Sequence, residues 1–201
     1  MRRTGTRPPS PLTTPSTDAR WGAQRRERQA ANLLGALALA LDDRLDRAVT
    51  EAARVAESDA VALSALHHFL DSPSVDLLAR VLGLSSSGTV RLVDRLEEAG
   101  LVRRTTAPDG RVTSVALTGK GRRRAQAVTR ARTDLMERAL GALTPAERRR
   151  FGELAGTMLA GLIRPPGASR WTCRLCDVVT CGRPDGHCPV YEAAKARYGD
   201  G

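Results

Sequence analysis

The feature that most constrains the fold is a tight turn between two short helical segments. Ser74 precedes the first helical pattern, and Ser85 precedes the second one after a turn at Gly83. A serine at such a position accepts hydrogen bonds from the unpaired amide groups of the first helical turn, and glycine adopts the positive φ at which helices end. Two short helices joined by a glycine-containing turn form a helix-turn-helix, so the sequence predicts this motif over residues 74–100.

A basic β-hairpin is predicted directly after the second helix. Strand-like runs at 101–106 and 111–117 flank Ala-Pro-Asp-Gly, and Asp-Gly between such runs favours a hairpin turn. The segment 101–132 carries nine basic residues against one acidic residue, whereas residues 31–60 have a net charge of −3. The net charge of the chain, +10, is therefore concentrated in one segment, which favours a nucleic acid as the partner.

Helical patterns flank this core on both sides, with apolar residues recurring every three to four positions. These helices are predicted over residues 21–56, 58–70, 119–140 and 145–163. The third begins after the capping residue Thr118, and the fourth begins at a capping box of Thr144 and Glu147. The predicted fold class is mainly α with a small β-hairpin wing: a winged helix-turn-helix core flanked by long N- and C-terminal helices, followed by a short segment with four cysteines.

The outward face of the second helix of the motif is predicted to contact DNA. The apolar stripe predicted to be buried consists of Thr89, Leu92, Val93 and Leu96. Small residues at the start of the opposite face let the helix enter a major groove about 12 Å wide, and its arginines reach base edges or phosphates. The residues of this helix predicted to contact DNA are Ser86, Ser87, Gly88, Val90, Arg91 and Arg95.

Arginines of the hairpin complete the predicted interface. Arg103 and Arg104 are expected to contact phosphates, which set the register of a protein on the duplex. Arg111 at the hairpin tip is placed for a narrow and electronegative minor groove. A second function class stays open at this point, because a winged helix can also act as a protein-interaction module without specific DNA binding.

Several spaced motifs occur in one order between residues 58 and 126. They are LLARVLGLSSSGTVRLVDRLEEAGLVRR at 77–104 and the wing PDGRVTSVALTGKG at 108–121, which contains Asp-x-Arg as Asp109 and Arg111. Over about seventy residues the chain resembles the DNA-binding core of the MarR (multiple antibiotic resistance regulator) transcription factors. The resemblance places Asp109 beside Arg111 among the DNA-binding residues of the wing.

The resemblance implies a homodimer on pseudo-palindromic, double-stranded operator DNA, most often acting as a repressor. The winged core would span about 58–121, and the dimerisation helices about 21–56 and 119–163. The resemblance also implies release of DNA by a small-molecule or redox effector. His67 and His68 are one candidate for lining such a site, although the sequence favours one packed and one solvated histidine there.

The C-terminal segment 165–201 departs from this family pattern, because it holds every cysteine of the chain. The cysteines, spaced C-x₂-C-x₄-C-x₆-C, are Cys173, Cys176, Cys181 and Cys188. A glycine- and proline-containing loop at 182–186 can return the last thiol to the others, so four thiolates within sixteen residues can enclose a tetrahedral metal ion. We therefore expect one metal centre per chain and no organic cofactor.

Zinc is favoured as the metal, with an iron–sulfur cluster as the alternative. Pro189 after the last cysteine is typical of ferredoxin-type ligation, but the gaps of four and six residues do not match the usual bacterial spacing. A set of reduced thiols, or a redox-switched disulfide pair, is the third interpretation.

Other classes of protein lack support in the sequence. No apolar run reaches the ~18–20 residues of a transmembrane helix, and we expect no membrane partner. No nucleophile elbow, phosphate loop or metalloprotease motif is present, so we do not expect an enzyme. We expect a cytoplasmic protein, associated with the nucleoid through DNA, with a disordered basic arm at 1–20 and a MarR-type domain at 21–164.

Overall fold

The computed structural model describes residues 22–106, 113–164 and 167–199, and it is mainly helical with one small hairpin. The elements in chain order are α1 (Ala23–Ala53), α2 (Glu57–His68), α3 (Val75–Leu82), α4 (Ser86–Glu98), β1 (Val102–Thr106), β2 (Thr113–Leu117), α5 (Gly119–Leu140), α6 (Pro145–Leu162), α7 (Ala168–Thr172) and α8 (Pro189–Tyr198). The predicted fold class is confirmed. The arm predicted at 1–20 and the hairpin tip with Asp109 and Arg111 lie outside the described residues.

A division after Asp42 separates two compact units. The described part of the first unit is the N-terminal portion of α1, which presents several leucines to solvent. Their exposed side chains are Leu33, Leu34, Leu37 and Leu39. The remainder of α1 belongs to the second unit, where Val49 and Ala53 are fully buried.

The helix-turn-helix in the second unit forms through the predicted capping residues. The Ser74 hydroxyl accepts a hydrogen bond from the Leu77 amide at 3.2 Å, and the Ser85 hydroxyl accepts one from the Gly88 amide at 3.1 Å. Gly83 ends α3 with a φ of +64°, a left-handed conformation that costs glycine little because it has no Cβ. The turn between α3 and α4 is therefore specified locally by the sequence.

The hairpin is fastened to this motif at the start of α3. Strands β1 and β2 pair antiparallel, with Val102 opposite Leu117. The amide of Val115 donates to the carbonyl of Pro73 at 2.9 Å, and Ser74 bridges to Ser114. These bonds place the wing beside the helix-turn-helix.

One core holds α2, α3, α4 and the hairpin together. Its fully buried large side chains include Leu63, Leu78, Leu92, Leu96 and Val115. The stripe predicted for α4 is buried, including Thr89, whose hydroxyl donates to the Ser85 carbonyl at 3.0 Å. Because one face of α4 fills this core, its opposite face is turned to solvent.

Helices α5 and α6 also begin at the predicted capping residues. Thr144 and Glu147 form a capping box at the start of α6, with Pro145 in the first helical turn. Thr118 caps α5 by accepting from the Gly121 amide at 3.0 Å. No helix in the parts of the chain that the structure describes is both long and apolar enough to cross a membrane.

Two helices in the cysteine segment, α7 and α8, were not predicted. Pro189 occupies the first turn of α8, where its fixed φ and missing amide hydrogen suit a helix start. This proline therefore starts a helix, and the choice between zinc and an iron–sulfur cluster stays open.

Gly121 offers a test of how closely α5 packs against the hairpin. A Cβ at this position would overlap the carbonyl oxygen of Leu101, whereas a Cβ at Gly119 would meet only the end of Arg123, at 3.7 Å. We expect Gly121→Ala to lower the free energy of unfolding by about 1–3 kcal/mol, as overpacking does, in urea denaturation. Gly119→Ala, in the same helical turn, is the control and should be neutral or slightly stabilising; equal losses in both variants would contradict this packing.

Candidate nucleic-acid interface

The outward face of α4 forms the candidate interface. Ser86 and Ser87 are exposed in its first turn, and Arg91 is exposed one turn further along. Val90 is exposed and apolar, and Gly88 is half-buried. A Cβ at Gly88 would lie 3.1 Å from the Ser85 hydroxyl oxygen, so glycine keeps the first turn narrow. The structure thus brings these predicted residues together on one surface.

Arg95 also lies on α4, but it is bonded within the protein. Its Nη2 atom lies 2.7 Å from Oδ1 of Asp59, and its Nε lies 3.5 Å from Oδ2. The hydrogen bond to Asp59 raises the pKa of the Arg95 guanidinium, and the Asp59 side chain is only 7% exposed. The pair ties α4 to α2, so the structure gives Arg95 a positioning role in addition to the predicted DNA contact.

Arg104 connects the wing to α4 through two carboxylates. Its Nη2 atom lies 2.6 Å from Asp94 and its Nη1 atom 2.6 Å from Glu97, and its backbone amide donates to Glu97 at 2.9 Å. The hydrogen bond donated by the backbone amide of Arg104 is the main reason that the pKa of the Glu97 carboxyl is lowered. The charge of Arg104 is thus paired with two carboxylates, and the phosphate contact expected of it stays a prediction.

Arg103, the neighbouring strand residue, is exposed. It lines a cavity of about 520 Å³ between the end of α2 and the base of the hairpin, together with His67 and Arg122. His68 lies against the same cavity, and its Nε2 is 2.8 Å from the Thr129 hydroxyl. Burial is the main reason that the pKa of His68 is lowered. The His68 side chain is only 8% exposed, as expected of the packed histidine, whereas His67 is half-buried and not solvated.

The four cysteines meet around the segment between α7 and α8. Cys173 and Cys188 are buried, Cys176 is half-buried and Cys181 is exposed. The thiol of Cys181 donates to that of Cys188 with a sulfur–sulfur distance of 3.5 Å, and Cys173 and Cys176 lie near enough to each other to shift one another's pKa. Cys173, Cys176 and Cys188 pack in one cluster with Ile163, at the end of α6.

The surroundings of the thiols shift their pKa values in different directions. The hydrogen bond from Cys173 and the positive charge of Arg132 lower the pKa of Cys176 to about 6. The same hydrogen bond and burial raise the pKa of Cys173, and burial and the bond to Cys188 raise that of Cys181 to about 12. Arg132 Nη2 lies 3.9 Å from the Cys176 sulfur.

One pair of thiols, Cys181 and Cys188, has the spacing of two metal ligands. With metal–sulfur distances of about 2.3 Å, sulfurs of a tetrahedral zinc site lie about 3.8 Å apart, close to the separation of Cys181 and Cys188. Within the described residues, however, no group of three or more metal-ligating side chains is gathered closely enough to hold an ion. The four-cysteine metal centre therefore stays a prediction.

Known proteins share this architecture. Residues 55–111 match the model of the MarR family. A MarR family protein from Bacillus stearothermophilus is 26% identical, with a TM-score of 0.60 over 68% of this chain and 95% of that chain. YusO from Bacillus subtilis is 23% identical, with a TM-score of 0.60 over 71% and 99%.

A third structure contains nucleic acid. It is a MepR variant from Staphylococcus aureus bound to an oligodeoxyribonucleotide, 18% identical, with a TM-score of 0.51 over 67% of this chain and 98% of that chain. Comparison with curated protein sequences gives no match.

The winged-helix segment of this chain is thus similar to the MarR family over residues 55–111. The resemblance inferred from the spaced motifs is confirmed, since the matched segment runs from α2 through the first half of the wing. The MarR match ends at residue 111, so the segment with the four cysteines lies outside it.

The ion pair of Asp59 and Arg95 is expected to contribute to the free energy of unfolding. Asp59→Asn removes a buried carboxylate that bonds a guanidinium, which should lower the free energy of unfolding by about 1–3 kcal/mol in urea denaturation. The control is Glu153→Gln on α6, which breaks an ion pair with Arg150 whose side chains are 65% and 69% exposed. That loss should stay below about 0.5 kcal/mol, and a loss at Asp59 no larger than at Glu153 would show that the pair does not hold α4 in place.

Proposed function

We propose that this protein is a DNA-binding transcription regulator that inserts α4 into the major groove. The observation that carries the proposal is the solvent-facing surface of α4, with small residues in its first turn and Arg91 behind them, on a MarR-family winged helix. The amide groups of the first helical turn favour phosphate there. Support also comes from the MepR variant of the same fold, which is bound to an oligodeoxyribonucleotide.

Each arginine has a different role in the proposed complex with DNA. Arg91 contacts a base edge, and Arg103 contacts a phosphate from the first strand. Arg111 at the hairpin tip, beside Asp109, enters the minor groove. Arg104 orients the wing against α4 through its bonds to two carboxylates, and the Asp59 partner of Arg95 fixes the angle of α4.

We propose that the regulator acts as a homodimer. One face of α6 presents large apolar side chains to solvent, namely Phe151, Leu154, Met158, Leu159 and Leu162. The N-terminal part of α1 separately exposes its four leucines. Apolar patches of this kind mark interaction surfaces, and a two-fold dimer would present two α4 helices to half-sites about 34–36 Å apart. The family resemblance favours repression as the outcome.

The cysteine segment is proposed to bind one thiophilic metal ion per chain, with zinc favoured. Its support is the C-x₂-C pair at Cys173 and Cys176 and the close approach of Cys181 and Cys188. An iron–sulfur cluster and a thiol–disulfide switch are the competing occupants of the same four side chains.

Replacement of Arg91 tests the proposed role of α4. Arg91→Ala should reduce discrimination between a duplex selected from a random library and its single-base variants by about 5- to 150-fold at one position, the range expected from losing a bidentate base contact. Fluorescence anisotropy with these duplexes measures the effect. Arg91→Lys, which keeps the charge but not the planar fork, should retain overall affinity and lose the discrimination. Full discrimination in Arg91→Ala would show that α4 does not recognise bases through this residue.

A charge on the apolar face of α6 tests the dimer. Met158→Glu places a carboxylate among exposed apolar side chains, so we expect at least a tenfold weaker dimer in sedimentation equilibrium. Arg149→Glu is the control, because helical spacing puts residue 149 on the side opposite residue 158. Equal dimerisation of both variants would place the interface elsewhere.

A further inference from the structure

The cysteine segment contacts the helix-turn-helix directly. The indole of Trp171 packs on Gly83, where an added Cβ would lie 2.8 Å from the Cζ3 atom of the ring. The guanidinium of Arg174 lies 3.8 Å from the centroid of the same indole. Gly83 is the left-handed residue that ends α3, two positions before the cap of α4. A shift of Trp171 therefore acts on the turn that sets the position of α4.

The first thiol pair is seated next to this contact. Cys173 follows Trp171 by two positions, and Leu175 inserts between the winged-helix core and a second cluster formed by α1, α2 and α5. Arg132 from α5 approaches Cys176, and Asp177 lies 3.8 Å from His68 of α2. These contacts fix the first pair to the winged-helix core.

The second thiol pair packs against the first pair and is also attached to α6. Cys188 precedes α8, and an added Cβ at Gly156 of α6 would lie 2.8 Å from the ring of Pro189. At the other end of α8, the guanidinium of Arg197 donates to the carbonyl of Ile163 at 2.8 Å. The second pair is thus fastened to α6, the helix whose exposed face we assign to the dimer.

We propose that a thiophilic divalent cation bound by the four cysteines controls DNA binding through Trp171. This inference rests on the proposed DNA-binding function. Cys173 and Cys176 already pack against Cys188 and Ile163, and an ion held by both pairs would add bonds that fix the distance between α6 and the turn at Gly83. Zinc fits this donor set, since thiolates are the softest protein ligands and zinc accepts four of them in a tetrahedron.

The direction of control follows from ordering. A bound ion already orders the cysteine segment and the turn at Gly83. Less conformational entropy is then lost when the loaded protein binds DNA, so its affinity for DNA is higher. We expect the zinc-loaded full chain to bind duplex DNA at least tenfold more tightly than the zinc-free chain.

Metal binding itself is tested first, on full-length protein purified without air and treated with a chelator. Titration with Co²⁺ should give the absorption of tetrahedral thiolate coordination with one ion per chain, and Zn²⁺ should displace it. Cys181→Ser with Cys188→Ser should abolish that spectrum, whereas Val179→Ala, a change at an exposed position of the same segment, should not. No binding, a cluster with acid-labile sulfide, or a spectrum unchanged by the double substitution overturns the proposal.

Trp171 then tests the coupling. Trp21→Phe leaves Trp171 as the sole tryptophan, since the chain has two. In this background Zn²⁺ should decrease acrylamide quenching of Trp171, and it should tighten binding to a duplex selected from a random library. Trp171→Ala should still bind one Zn²⁺ per chain but should lose the effect of Zn²⁺ on DNA affinity.

The outcomes separate this inference from the proposed function. Equal DNA affinity with and without Zn²⁺, tighter binding by the zinc-free form, or an unchanged zinc effect in Trp171→Ala overturns the coupling while DNA binding stands. If neither form binds any duplex, the proposed function fails and the control of DNA binding fails with it. In that case the quenching of Trp171 still reports whether the ion is linked to the turn.

Discussion

The burial of one face of α4 is the constraint on which the rest of the site depends. Leu92, Val93 and Leu96 fill the core between α2, α3 and the hairpin, so the opposite face with Arg91 must point to solvent. Burying three such side chains contributes several kcal/mol, on the order of 1.5–3 kcal/mol each, which exceeds any single polar contact at the surface. Two polar contacts then fix the angle of α4. Asp59 of α2 bonds Arg95, and Arg104 of the wing bonds Asp94.

The parts of the fold that the sequence predicted are those specified by neighbouring residues. The caps at Ser74, Ser85, Thr118 and Thr144 each bond an amide three positions ahead, and the buried stripe of α4 follows helical periodicity. The partners of Arg95 and Arg104 were missed for the opposite reason. Asp59 is 36 residues from Arg95, and no local pattern indicates which carboxylate a surface arginine will meet after folding.

In the cysteine segment, too, the local spacing was predictable from the sequence but the long-range contacts were not. Its spacing indicated that four thiols would meet, and the structure brings them together as two pairs. The place of the segment in the fold was not predictable, because it depends on single contacts such as Trp171 on Gly83 and Pro189 on Gly156. Those contacts put the thiols between α6 and the turn ahead of α4, which is why the proposed ion would act on that turn.

The salt dependence of duplex binding by the full chain shows whether α4 and the wing contact DNA phosphates. Each phosphate neutralised by an arginine releases counterions, so the logarithm of the association constant falls with the logarithm of salt concentration at about 0.9 per contact. Arg103 and Arg111 from each protomer of a dimer make four such contacts, so we predict a slope of about −3.6 or steeper on a duplex selected from a random library. A flat response, or equal affinity for every duplex sequence, would contradict recognition of DNA by α4 and the wing.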